Sequence, residues 1–143
     1  MKQLLPFKVG YETYALALIE VQEVVENPKI FPFPGTPDLI SGAIAFHGRI
    51  VPVIDLGILL DFPTGNIGQR LIVLVNNRGP VALGVDQVQT VINLDVNQDT
   101  QMQNFTERNY IEGVINYHGQ MISLFDLDLF QTKLESLCNQ KGD

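Results

Sequence analysis

The sequence lacks several features that would define its class at once. It has one cysteine, Cys138, so no disulfide can form within the chain. Lysine and arginine number 9 against 16 acidic residues, for a net charge of −7. That balance argues against a phosphate-backbone binder, which needs surplus cations, and against polybasic membrane attachment. The longest apolar stretch, residues 50–60, is interrupted by Pro52, Asp55 and Gly57 and is too short to cross a bilayer.

Charged residues are also scarce, at 17% of the chain, against about 25% in an average domain. The N-terminal residues lack the apolar core of a signal peptide. Apolar residues make up 45% of the 143 residues, enough to form a core without staples. We therefore expect one soluble cytoplasmic domain over residues 1–143, with no nucleic-acid partner and no direct membrane insertion. A surface with so little charge favours contacts with other proteins.

The chain contains an internal repeat. When segment 42–56 is aligned with segment 113–127, the two share Gly, Ile, His, Gly, Asp and Leu at matching positions. The only two histidines of the protein, His47 and His118, occupy the same repeat position. Chance similarity of apolar strands can imitate one such block, so duplication requires a second block in the same order.

A second pair of segments repeats in the same order. Segment 15–25 aligns with segment 82–92, and the two share Ala, Leu, Val, Gln and Val. The sequence therefore predicts two related units, at about 4–62 and 70–133. Two copies are too few for a solenoid. Each unit alone would be marginally stable, so we expect a pseudo-symmetric pair of subdomains with a shared interface.

Short runs of Val, Ile and Leu between turn residues predict a mostly β fold. The predicted strands are 4–9, 13–19, 22–30, 43–47 and 50–54 in the first unit, and 71–76, 80–86, 88–94, 113–117 and 120–125 in the second. The His-Gly pairs at 47–48 and 118–119 are typical of hairpin turns. Helices are predicted to be short and few, apart from one that begins at Asp126 and reaches about residue 138. Five strands per unit suggest paired small barrels, because closure removes exposed edges.

No motif for catalysis is present: the chain lacks Gly-x-Ser-x-Gly, a phosphate-binding glycine loop and Cys-x-x-Cys. His47, His118, Asp55 and Asp126 could in principle form a metal site or a general base. Hairpin-turn and helix-cap roles explain these residues better, and Cys138 is expected to pack within its helix. We expect no enzyme activity, no metal and no cofactor.

Four acidic residues invite a functional interpretation. Glu20, Glu23 and Glu26 stand three apart in a β-branched segment. They form either a solvated strand edge or an acidic rim for a basic partner. Asp86 follows a buried-looking run and is expected to bond to the backbone at a strand end.

Six short blocks follow one another along the chain in a recognisable order. They are Phe7 with 14–16; 21–25; Pro34, Pro37, Ile40 and Gly42; 47–56; 83–88; and 110–114 with 124–127. Together they resemble the CheW-like family, the scaffolding modules of bacterial chemosensory arrays, over about residues 4–133. The resemblance implies two pseudo-symmetric, five-stranded SH3-like β-barrels with short helices and a C-terminal helix.

The resemblance also implies a function. Such a module is a non-catalytic adaptor that couples methyl-accepting receptors to a CheA-type histidine kinase. Its implied partners are the kinase regulatory domain, the receptor tip in the groove between the barrels, and other CheW-like modules. The positions carried over for kinase and receptor binding are Val21, Glu23, Gly42, His47 and Gly48, together with Val85, Val88 and Val91.

One position departs from the family pattern. The family usually has arginine before the turn glycine, where this chain has His47. Histidine lacks the permanent charge and the five-donor fork of arginine. An adaptor in a divergent pathway, such as twitching motility, is therefore one alternative. A small-ligand sensor that uses the cleft between barrels, and a hydrolase that uses the histidines, are two others.

Overall fold

A computed structural model describes residues 2–62, 70–95 and 110–141. Within these ranges the chain forms strands connected by short turns and two α-helices. The strands are β1 (Lys2–Val9), β2 (Glu12–Ala17), β3 (Val21–Glu26), β4 (Ile40–Phe46), β5 (Arg49–Asp55), β6 (Arg70–Leu74), β7 (Ala82–Val85), β8 (Gln87–Val88), β9 (Ile92–Leu94), β10 (Ile111–Tyr117) and β11 (Gln120–Phe125). The helices are α1 (Leu56–Leu59) and α2 (Leu127–Lys141), and 3-10 turns lie at Leu18–Glu20 and Asn76–Arg78.

The strands form two sheets, and each sheet combines strands from both predicted units. One sheet has the order β3-β6-β7-β5-β4 and uses residues 21–85; we call it the central barrel. The other has the order β10-β11-β2-β1-β8, with β9 also paired to β1, and uses residues 2–17 and 87–125; we call it the terminal barrel. The two units at 4–62 and 70–133 are therefore repeats in the sequence. They do not correspond to the two sheets, because each sheet contains strands from both units.

The two sheets repeat the same pairing in the same register. β3 pairs with β6 at Val21↔Leu74, and β8 pairs with β1 at Val88↔Phe7. The repeat that aligns 15–25 with 82–92 relates Val21 to Val88 and, when extended, Phe7 to Leu74. The parallel pairs β5·β7 and β11·β2 also match. The prediction of two pseudo-symmetric SH3-like barrels in a mostly β chain is confirmed.

Two predicted strands differ from those in the structure by more than a shift of one or two residues at an end. The strand predicted at 22–30 ends at Glu26. It stops there because Asn27 adopts φ 48°, a left-handed conformation, and Pro28 offers no N–H to a neighbouring strand. The strand predicted at 88–94 is divided into β8 and β9, which pair with different parts of β1.

The helices follow the prediction with small differences. Asp55 and Asp126 both precede helices, α1 and α2. The C-terminal helix extends to Lys141, past the predicted end near residue 138. The side chain of Cys138 lies outside the described part of the chain. No helix in the described residues is long and apolar enough to span a membrane.

Three apolar clusters hold the fold together, because alternate side chains of each strand face inward. The central barrel has its own core of Ile44, Phe46, Val51, Val53, Leu71, Val73 and Ala82. The terminal barrel has an equivalent core of Leu4, Ala15, Leu94, Ile115, Ile122 and Leu124. A larger cluster joins the barrels and includes Phe7, Tyr14, Ile54, Leu56, Leu83 and Phe125. The shared cluster packs the two small barrels against each other.

Candidate interaction surface

The turn between β4 and β5 presents a histidine–glutamate pair on the central barrel. His47 and Gly48 both have positive φ, 49° and 75°, which matches the right-handed twist of a two-residue hairpin. The His47 Nε2 atom lies 3.7 Å from Glu23 Oε1 on β3, with side chains 67% and 50% exposed. The His47 ring also packs edge-on against Phe46 at 4.3 Å. The fold thus brings together Glu23, His47 and Gly48 at one exposed corner.

The His47–Glu23 pair also shows how the central barrel closes. Glu23 and His47 come from β3 and from the end of β4, which are the two edges of the sheet. The segment after β3 pairs with β4 through an antiparallel bridge between Phe31 and Ala43. The corner therefore lies where the two edge strands meet.

Gly42 is buried and has a backbone role. Its φ is +148°, and an added Cβ would lie 2.3 Å from the carbonyl oxygen of Phe31. Gly42 sits beside the register shift in the β4·β5 pair. It allows the Phe31 segment to approach β4 closely. Gly42 therefore shapes the backbone of this barrel and does not present a side chain to a partner.

The four valines carried over from the family lie around the shared core. Val85 is 2% exposed and belongs to that core. Val21, Val88 and Val91 are partly buried and pack against it. These side chains therefore mark the junction of the barrels, whereas Glu23 and His47 mark the corner of one barrel.

Each carboxylate of the acidic row has a basic neighbour. Glu20 pairs with Arg78 at 3.0 Å, and Glu26 pairs with Arg70 at 3.3 Å. Glu23 faces His47, as described above. Each of the three residues therefore has a basic neighbour, while the Glu23 and Glu26 side chains stay 50% and 67% exposed.

Arg78 is a structural centre that the sequence did not reveal. Its Nε and Nη2 atoms donate to both carboxylate oxygens of Glu20, at 3.0 and 3.1 Å. It also donates to Asp128 and to Gln131 on α2. Hydrogen bonding from Arg78 lowers the pKa of Glu20, and the same contacts raise the pKa of Arg78. Arg78 thus connects the β6–β7 loop with the C-terminal helix.

Arg78 escaped sequence analysis because nothing local marks it. Its partners Glu20 and Asp128 lie 58 and 50 residues away. A single arginine in a turn cluster carries no spacing signal, so only the tertiary fold identifies the contact.

The two repeat aspartates cap helices, as predicted. Asp55 accepts hydrogen bonds from the backbone N–H groups of Gly57 and Ile58, and Asp126 accepts one from Leu129 at 3.1 Å. Asp55 is only 3% exposed, and burial raises its pKa. Its second oxygen, Oδ2, is buried without a hydrogen bond from the described residues. The Asp55 cap therefore places a negative charge in a buried position, which lowers its contribution to stability.

Asp86 also bonds to the backbone, as predicted. Its carboxylate accepts a hydrogen bond from the N–H of Gly10 at 2.7 Å. The backbone N–H of Asp86 donates to the carbonyl oxygen of Lys8 at 2.9 Å. Asp86 therefore fastens the crossing from β7 to β8 onto the β1–β2 hairpin.

The histidines lie at equivalent turns of different barrels. His118 has φ 51° and packs edge-on against Tyr117, as His47 does against Phe46. Within residues 2–62, 70–95 and 110–141, no three His, Cys, Asp or Glu side chains are arranged to hold a metal ion. The described residues thus form two SH3-like β-barrels with a His-Gly turn at the same place in each.

Comparison with known proteins places this module in a family. The family model described as "CheW-like domain" matches residues 3–134. The chain therefore belongs to the CheW-like domain family.

Two curated relatives, both named chemotaxis protein CheW, illustrate the similarity. The protein from Klebsiella aerogenes is 28% identical, over 89% of this chain and 80% of its own. The protein from Rhizobium meliloti is 24% identical, over 89% of this chain and 85% of its own.

A solved structure supports the same assignment. The scaffolding protein TtCheW from Thermoanaerobacter tengcongensis has a TM-score of 0.78 and 29% identity. The match covers 87% of this chain and 88% of that one. The similarity therefore extends through both barrels.

Proposed function

We propose that this protein is a non-catalytic adaptor of bacterial chemosensory signalling, which couples chemoreceptors to a CheA-type histidine kinase. The observation that carries the proposal is the CheW-like family match over residues 3–134. Relatives named for chemotaxis and a neighbour named as a scaffolding protein support it. Such an adaptor acts by binding, because contacts that favour one state of a kinase shift its population without any chemical step.

We propose that the corner formed by Glu23, His47 and Gly48 binds the regulatory domain of the kinase. Both side chains are at least half exposed. The turn is fixed by its backbone conformation and by the contact between His47 and Phe46. A rigid corner loses little conformational entropy on binding, and this favours affinity.

We propose that the receptor tip docks at the junction of the barrels. Val21, Val88 and Val91 are partly buried there and leave apolar surface available. An amphipathic helix can pack its apolar face against partly exposed valines of this kind. Other CheW-like modules are a further class of partner for the same surfaces, by analogy with the family.

The test measures binding of the purified chain by isothermal titration calorimetry. The probes are the regulatory domain of a CheA-type kinase and a receptor-tip fragment, both from the genome that encodes this chain. Glu23→Lys reverses the charge beside His47, so we expect at least tenfold weaker kinase binding. Glu112→Lys is the matched control, since Glu112 is an exposed strand carboxylate on the terminal barrel. It should change kinase affinity less than twofold.

The outcomes separate the function from the site. A folded wild-type chain that binds neither probe would overturn the adaptor function. A chain that binds the kinase, with Glu23→Lys equal to Glu112→Lys, would overturn only the assignment of the corner.

A further inference from the structure

An aromatic contact joins the two barrels at the β1–β2 loop. Phe62 follows α1, after the last strand of the central barrel, and its ring lies edge-on to Tyr11 of that loop at a centroid distance of 5.1 Å. A Cβ added at Gly10 would lie 2.5 Å from the same ring, so the ring packs directly on the loop backbone. Asp86, in the crossing from β7 to β8, accepts a hydrogen bond from the Gly10 N–H at 2.7 Å. The barrels are therefore tightly packed at this loop.

An ionic contact takes the equivalent place at the β6–β7 loop. Arg78 corresponds to Tyr11 in the repeat. Its guanidinium binds Glu20, in the crossing from β2 to β3, and Asp128 on α2, the helix that follows the terminal barrel. Gln131 on the same helix donates to the Arg78 carbonyl oxygen. Arg78 therefore connects a loop of the central barrel, the crossing between the barrels and the helix of the terminal barrel.

The two contacts differ in how much room adjoins them. A cavity of about 150 Å³ borders Glu20, Arg78 and Asp128. At the other contact, Phe62 is 8% exposed and lies against the Gly10 backbone. Relative motion of the barrels is therefore resisted by close packing at the β1–β2 loop and by hydrogen-bonded ion pairs at the β6–β7 loop. Removal of the Arg78 side chain should free the second contact alone.

The surface proposed for the receptor tip spans both barrels. Val21 begins β3 of the central barrel, and Val88 lies on β8 of the terminal barrel. Val21 directly follows Glu20, whose carbonyl oxygen accepts a hydrogen bond from the Val75 N–H at 3.0 Å. A helix that contacts both valines at once needs the barrels at one angle, and any motion that remains must be frozen on binding. Arg78 holds Glu20 and therefore acts one residue away from this surface.

We propose that Arg78 is a positioning residue, which holds the two barrels at the angle that the receptor tip requires. The proposal rests on receptor docking at the junction and deepens it. The Arg78 side chain is 18% exposed, and Glu20 and Asp128 hold its guanidinium. Arg78 therefore acts by fixing Val21 relative to Val88, and its loss leaves more motion to be frozen when the receptor docks.

The test measures the distance between the barrels directly. Cys138→Ser, Ile50→Cys and Met121→Cys together place one spin label on each barrel, at exposed positions that are equivalent in the repeat. Double electron–electron resonance then records the distribution of label distances. We expect a narrow distribution for this background and one at least twofold broader after Arg78→Ala. Arg78→Lys keeps the charge without the two-pronged contact and should give an intermediate width.

Two variants serve as controls for the distance measurement. Lys133→Ala removes an exposed positive charge from α2 and should leave the width unchanged. Tyr11→Ala trims the repeat equivalent of Arg78, but Phe62 still packs on Gly10, so this variant should broaden the distribution less than Arg78→Ala does. NMR spectra establish that each variant is folded. If Arg78→Ala does not fold, Glu20→Gln removes the charge of its partner at constant size and takes its place, with the same expected broadening.

Binding separates a positioning role from a merely structural one. By calorimetry, the receptor-tip fragment should bind Arg78→Ala at least about fivefold more weakly than wild type. The kinase regulatory domain docks at the corner of one barrel in the function proposed above, so its affinity should change less than twofold. A general loss of folded structure would weaken both probes alike.

The distance and binding results can each overturn the proposal. Equal distance widths for folded Arg78→Ala and its background would show that Arg78 does not fix the barrels. A broader distribution with receptor affinity equal to that of Lys133→Ala would show that the angle does not govern docking. If the wild type binds no receptor tip, the docking part fails together with the proposed function, and the distance distributions still decide whether Arg78 fixes the angle.

Discussion

The central and terminal barrels share a backbone plan and differ in how their ends are finished. Strand order and register are the same in both. Gln120 donates a hydrogen bond to the Thr13 hydroxyl at the end of the terminal barrel, whereas the repeat places Arg49 and Pro80 at the corresponding positions of the central barrel. The comparison shows that the two halves of the repeat keep the same strand pairing, which stability requires, while individual side chains at the barrel ends differ.

The β1–β2 loop and the β6–β7 loop are equivalent in the repeat, and they also differ in their side-chain contacts. Arg78 and Tyr11 occupy equivalent positions when the alignment of 15–25 with 82–92 is extended toward the N-terminus. Arg78 is held by Glu20 and by the C-terminal helix. Tyr11 packs edge-on against Phe62 at 5.1 Å. The β6–β7 loop is held by ion pairs and the β1–β2 loop by an aromatic contact. The two barrels therefore carry different charges at equivalent loops.

The largest expected effect tests the bulge that both β4·β5 and β10·β11 contain. Gly42→Ala places a Cβ 2.3 Å from a backbone oxygen, so we expect a loss of about 3 kcal/mol in the free energy of unfolding. Gly48→Ala meets no atom within 4 Å and should cost about 1 kcal/mol through its positive φ. Urea denaturation measures both. Equal losses would contradict the close approach.

The next effect tests the ion pairs that Arg78 forms with Glu20 and with the C-terminal helix. Arg78→Ala removes the contacts with Glu20 and α2, so we expect a loss of about 1–2 kcal/mol in unfolding free energy at pH 7. Arg78→Lys keeps the charge but not the two-pronged contact and should recover part of it. The pKa of Glu20 is lowered in the fold, so this stabilisation is present above its unfolded pKa of about 4.3.

The pH dependence gives the Arg78 prediction its sign. As the pH falls through the lowered folded pKa of Glu20, the carboxylate is protonated and the stabilisation is lost. The difference between wild type and Arg78→Ala should therefore shrink in acid. A difference that stays constant between pH 7 and pH 3 would argue against the ion pair.

A smaller effect distinguishes the two capping aspartates. Asp55→Asn keeps an oxygen that can accept from Gly57 and removes a buried charge. We expect unfolding free energy at pH 7 to stay equal or to rise by about 1 kcal/mol. Asp126→Asn changes a more exposed cap and should have an effect below about 0.5 kcal/mol.

The pKa of Asp55 also predicts a pH dependence. Because its folded pKa is raised, the native state holds the proton more tightly than the unfolded state. The contribution of Asp55 is therefore most favourable below its unfolded pKa of about 3.9 and declines as pH rises through the folded value. Asp55→Asn should remove that decline, as measured by thermal unfolding across pH 3 to 7. A wild-type profile identical to the Asp55→Asn profile would contradict the assignment.

The smallest effect on stability concerns the corner. The Glu23–His47 pair is exposed, so His47→Arg should change unfolding free energy by less than about 0.5 kcal/mol. Its effect should appear in binding instead, as a several-fold gain in affinity for CheA-type kinases of ordinary chemotaxis systems, because arginine supplies a permanent charge and a fork of donors. His118→Arg is the control on the other barrel. Unchanged or weaker kinase affinity for His47→Arg would refute the charge argument.

Sequence reasoning located the repeat and most of the strands with small boundary errors. The predicted strands at 43–47 and 50–54 correspond to β4 and β5, and the intervening turn lies where His47 and Gly48 were expected. The capping role of Asp55 was also predicted. These features depend on neighbours in the chain: alternation of apolar residues, turn chemistry, and an acidic group before a helix.

The sequence by itself determined that the chain contains an internal repeat, that it is mostly β, and that each repeat has a hairpin turn with a His-Gly pair. Only the tertiary structure decided that each barrel combines strands from both sequence units, and that Arg78 holds Glu20 across 58 residues. The physical reason is that β pairing and ion pairing across the fold depend on partners distant in the chain. Alternation along a strand shows which residues face inward, but it does not show which strand lies alongside.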